Sequence, residues 1–96
     1  MDFARAVTAA YGSGVSLFLA CGPATDAYCG AVAAAAAALT ALDPSDPGKP
    51  RQALYLNQTA AATGVGLGCC GHPTAGDDTL MAGVTAPVIG QAMGWQ

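Results

Sequence analysis

Phe3, Val7 and Ala10 or Tyr11 recur at helical spacing behind Asp2, a residue type that caps helices, and Gly12-Ser13-Gly14 closes the run. The next segment changes period. Val15, Leu17, Leu19 and Cys21 alternate with Ser16, Phe18 and Ala20, which predicts a strand that ends at Gly22-Pro23. Residues 1–24 therefore read as an N-terminal arm or a short helix and strand. A helix follows over 25–42, with Thr25 as its cap and Asp26 at the positive end of its dipole. Six consecutive alanines, Ala33 to Ala38, give it high intrinsic helicity.

Along that helix Tyr28, Val32, Ala35, Leu39 and Leu42 form one narrow seam at alternating spacings of four and three. The seam reads either as an interface with other subunits or as the contact of an ordinary helix with its own sheet. Residues 43–51, Asp43-Pro44-Ser45-Asp46-Pro47-Gly48-Lys49-Pro50-Arg51, carry four of the nine charges and three prolines and read as a solvated loop of turns.

Period-two alternation returns in 52–96, at Leu54 and Leu56, at Val65, Leu67 and Cys69, and at Leu80, Ala82 and Val84. Three short strands are predicted, with a turn over 71–78 and with Pro87 interrupting the last strand or moving it to an edge. The expected fold is α+β: a single small domain over 1–96 in which one long Ala-rich helix packs on a small, mainly antiparallel sheet.

Composition sharpens this picture. Only nine of 96 residues are charged, and Ala and Gly number 36 against 17 Leu, Val, Ile and Phe together. A domain this small buries roughly 60% of its unfolded surface, so much of the outside must be uncharged and apolar. Such a surface suits a protein partner. Three basic residues, Arg5, Lys49 and Arg51, are too few to neutralise a nucleic-acid backbone. The uncharged run Ala27–Leu42 is shorter than a membrane span and weakly lipophilic, so a membrane partner is not expected. Asp2 and the Gly12-Ser13-Gly14 break also spoil any resemblance of the first 25 residues to a secretion leader.

The candidate chemistry is sparse. Cys21, Cys29, Cys69 and Cys70 permit two disulfides, and a bond between the two halves of the chain would staple a thin core. Free, buried cysteine is the alternative. With His72 the four thiols could also supply zinc ligands, although the seven residues between Cys21 and Cys29 do not match the close pairs of structural zinc sites. His72 is the sole histidine, glutamate is absent, and no nucleophile motif surrounds a serine. The expectation is a protein without enzymatic activity and without a cofactor.

In size, in Ala, Gly and Thr richness, and in the β-like segment Ala53–Val88, the chain resembles the small decoration or cement proteins of tailed-bacteriophage capsids. That resemblance implies a virion protein that binds the outside of a capsid lattice, often as an oligomer with itself, and stabilises the shell. The alternative from another class is a small secreted or metal-stapled binding module whose fold is defined by Cys21, Cys29, Cys69, Cys70 and His72.

Overall fold

The computed structural model describes residues 2–23, 25–59 and 69–95. The elements run α1 (Asp2–Tyr11), β1 (Ser16–Cys21), α2 (Cys29–Thr40), β2 (Gln52–Asn57), a short 3-10 turn at Cys69–Gly71, and α3 (Ala75–Met93). Where one domain is expected, the chain divides into two compact units, residues 1–19 with 30–55 and residues 20–29 with 56–96.

In the first unit β1 and β2 pair in parallel, so the expected antiparallel sheet is not what forms. The Arg51 N–H donates to the Val15 carbonyl at 2.9 Å just before the paired strands, and the Gln58 N–H donates to the Cys21 carbonyl at 3.0 Å at their far end. Parallel neighbours cannot be joined by a tight hairpin and need a crossover of a dozen or more residues. Here α2 supplies that crossover, and its run of alanines makes a cylinder thin enough to lie close on two strands. Leu39 is wholly buried and meets Ala4 of α1 and Ala53 of β2, with Leu17, Leu19 and Leu42 packed around them. The predicted seam therefore turns inward at Leu39.

The loop at 43–51 has the turn chemistry its sequence suggests but is less solvated than expected, since Gly48 and Pro50 are buried. It acts as a clasp. Lys49 Nζ donates to the carbonyls of Thr40 at 2.6 Å and Leu42 at 2.8 Å, supplying the positive charge that the last turn of α2 lacks. Asp46 receives Arg5 Nη2 on both carboxylate oxygens at 3.2 Å and the Gly48 N–H at 2.7 Å, which ties the loop to α1. Beside it, the Ser45 hydroxyl and N–H both donate to Asp43 Oδ1, at 2.6 and 2.8 Å.

The second unit holds the largest departure from the sequence reading. Leu80–Val84, expected as a strand, lies inside the 19-residue helix α3, so 52–96 is not β-rich throughout. Thr74 and Asp77 form a reciprocal capping box: the Asp77 N–H donates to Thr74 Oγ1 at 3.1 Å, and the Thr74 N–H donates to Asp77 Oδ2 at 3.0 Å. Pro87 sits within the helix, and Gly94, at φ 72°, closes it in the left-handed conformation that glycine adopts without penalty. Met81, Thr85 and Ile89 are half-buried along one face, and Gln58 Nε2 donates to Thr85 Oγ1 at 3.1 Å. The expected strand at Val65–Cys69 falls mostly outside the described residues.

Two expectations follow. Leu39→Ala removes the one large apolar side chain that is completely buried among the described residues of the first unit and should cost about 2–5 kcal/mol, read by urea denaturation; a loss under about 1 kcal/mol would contradict this packing. The Ser45 hydroxyl, then its N–H, holds the Asp43 carboxyl below the ordinary carboxylate range. Because the folded value is lowered, the stabilisation is present above the ordinary pKa and is lost as pH falls through the folded one. In Ser45→Ala the NMR titration of Asp43 should move up towards the ordinary range, and an unchanged midpoint would contradict the assignment.

Candidate interaction surface

Surface rather than cleft is the feature that the two units share. On α3, about 100° around the helix from the half-buried face, Leu80, Val84 and Val88 recur every four residues and are 47%, 49% and 40% exposed. Residues three and four apart stack on one side of a helix, so the three side chains form a continuous apolar stripe. No charged residue occurs from Thr79 to the end of the chain. At the C-terminal end of the stripe a groove of about 640 Å³ is lined by Ala86, Pro87, Gly90, Gln91, Gly94 and Trp95. Trp95 is 65% exposed there. Its N–H donates to the Gly90 carbonyl at 2.8 Å, which fixes the backbone that carries the indole. Fully burying side chains of this kind gains about 1.5–3 kcal/mol each, and roughly half of that gain is still available at the three aliphatic positions.

On the first unit, the outer side of α2 consists of Gly30, Ala31, Ala34, Ala37, Ala38 and Ala41. Where α2 overhangs β2, a second groove of about 490 Å³ is lined by Ala33, Ala36, Ala37, Thr40, Ala41, Ala53, Leu54 and Tyr55. Neither groove has a charged lining residue. Of the predicted seam, Leu39 belongs to the core and Val32, Ala35 and Leu42 are half-buried. Tyr28, 70% exposed, precedes α2. Of the two readings of the seam, contact of the helix with its own sheet is the one that Leu39 takes.

The cysteines pair within each half of the chain rather than across it. Cys21 and Cys29, both buried, form a disulfide with a Cα–Cα distance of 5.1 Å, and the vicinal Cys69 and Cys70 are also paired. Cys70 is left-handed at φ 64°, an uncommon conformation for a residue with a Cβ. His72 is exposed, and its N–H donates to the Cys69 carbonyl at 3.1 Å. Among the described residues no three His, Cys, Asp or Glu side chains gather as a metal site would require. No described helix is long and apolar enough to cross a membrane.

The short closed loop makes the Cys21–Cys29 bond worth about 2–3 kcal/mol in the chain-entropy picture. The Cys21→Ser/Cys29→Ser double variant should lose that amount in urea denaturation, whereas unchanged stability would show that the bond constrains nothing. Comparison with known proteins returns no matching family model, curated protein or solved structure.

Proposed function

We propose that the protein is a non-enzymatic structural subunit that adds to a larger protein assembly through the outer face of α3. The carrying observation is the uncharged stripe Leu80, Val84 and Val88 running to Trp95. An exposed apolar patch on a chain with so few charges is supportable in water when a partner covers it. Interfaces concentrate their energy in a few aromatic and aliphatic anchors set in pockets, and Trp95 beside the Pro87 groove is such an anchor. In its more specific form the proposal is a decoration or cement protein bound to the outside of a virion shell, a role for which an inert, close-packing surface serves better than a reactive site.

The buried Cys21–Cys29 bond favours a second reading, a disulfide-stapled binding module. One experiment separates the two. Protein recovered from the cells or particles that contain it is sedimented, and Val84→Lys is compared with the unaltered chain. The assembly reading expects the unaltered protein to travel with a far larger particle and Val84→Lys to bind it at least about tenfold more weakly, with stability within about 0.5 kcal/mol. A free small protein whose only sensitivity is to reductant would favour the stapled module.

A further inference from the structure

We infer that Cys69–Cys70 is a reversible redox site, opened by low-molecular-weight thiols and closed again by their disulfides, while Cys21–Cys29 stays a structural bond. The inference uses neither groove nor the apolar stripe and does not depend on what α3 binds.

Exposure separates the two bonds. Thiol–disulfide exchange requires an attacking thiolate to reach a sulfur, so its rate follows access. Cys21 and Cys29 are 5% and 9% exposed, at the end of β1 and the start of α2. Cys69 and Cys70 both lie exposed on the turn ahead of α3. A thiol in solution therefore meets the second pair first.

Stapling is a poor account of that second pair. The restraint a disulfide places on the unfolded chain grows with the loop it closes, and adjacent residues close the shortest loop a chain can form. What remains is a local effect on the turn. Cys70 sits at φ 64°, in the left-handed region where a Cβ crowds the following carbonyl oxygen. Residues persist in such conformations where their surroundings over-determine them. Here the ring through the two sulfurs does so, together with the His72 N–H, which donates to the Cys69 carbonyl at 3.1 Å. Opening the ring lets Cys70 return to an ordinary backbone region, and the turn loosens with it. The loosening stops at the entry to α3, because Thr74 and Asp77 hold the first turn of that helix through their own reciprocal bonds.

The exchange balances with two equivalents of a monothiol. A thiolate attacks one sulfur, the S–S bond breaks, and the other cysteine leaves as a thiolate with the electron pair. A second thiolate then attacks the outer sulfur of the mixed disulfide, which forms the small disulfide and releases the remaining cysteine. The protein gains two electrons and two protons, and two thiols become one disulfide. In the reverse direction the neighbouring cysteine expels the adduct without a second encounter, which makes closure efficient.

The test is equilibration of the full chain in glutathione buffers of graded composition, followed by alkylation and peptide mass spectrometry. The protein in oxidised buffer should lack the mass of four hydrogens, two for each bond. Half-alkylation of Cys69 and Cys70 is expected at a ratio of squared thiol to disulfide at least about tenfold lower than that of Cys21 and Cys29, and restoring the oxidised buffer should abolish it. Amide NMR signals of Cys69–His72 should shift on reduction while those of Leu80, Val84 and Val88 stay in place. Cys69→Ser/Cys70→Ser should remove the low-ratio transition and move the urea midpoint far less than Cys21→Ser/Cys29→Ser does. Opening of Cys21–Cys29 at the same or a lower ratio, resistance of Cys69–Cys70 across the whole series, alkylation that no oxidised buffer reverses, or equal losses of stability in the two double variants would overturn the inference.

Discussion

The parallel pairing of β1 with β2 is the constraint on which the first unit depends. Two strands running the same way need a connection that returns the chain along the sheet, and α2 makes that return. An alanine helix is well suited to it, because it forms readily and adds little bulk, while Leu39, with Leu17, Leu19 and Leu42 around it, fills the space against Ala4 and Ala53. The chain then has to turn back into β2, and the 43–51 clasp fixes the turn: Lys49 closes the C-terminal end of α2, and Asp46 holds Arg5 of α1. With no extended hydrophobic core to fall back on, the unit relies on each of these contacts.

That arrangement also explains the character of the surface. Two of the three basic residues and two of the six acidic ones are engaged in the clasp and its neighbouring turn, and Asp77 is buried in the capping box of α3. Charges that would ordinarily keep helix faces wet are used to end and tether elements instead. The outer faces of α2 and α3 are left with Ala, Gly, Leu and Val. The proposed assembly role follows from this distribution of charge more than from any single residue.

The N-terminal half of the fold was legible in the sequence. Helical spacing behind Asp2 and the alternation through β1 gave α1 and β1 nearly at their observed limits, while the alanine run gave α2 but not its start, which falls at Cys29 and leaves Thr25 and Asp26 in the preceding turn. Strand direction was not legible, because alternation reports which side chains share a face and says nothing about the neighbouring strand. The error at α3 has a local cause. Leu80, Ala82 and Val84 satisfy a period of two, yet Leu80, Val84 and Val88 equally satisfy a spacing of four, and Pro87 was read as interrupting a strand when it sits inside the helix. Thr74-Ala75-Gly76-Asp77 was the deciding signal, a capping box ahead of an apolar run. The candidate surface on α3 was missed because Leu80–Val84 read as a strand, while the larger side chains of α2 were weighed both as an interface and as contacts with its own sheet, the role that Leu39 takes.

Amide hydrogen exchange tests the central claim, that the uncharged exposed flank of α3 is where this protein meets others, most directly. The protein is measured in the assembly recovered from its source and again after isolation at high dilution. Slower exchange in the assembled state across α3, with the 43–51 clasp unchanged, is the expected result. Equal exchange in both states over α3, or protection confined to the Cys69–His72 turn, would contradict it.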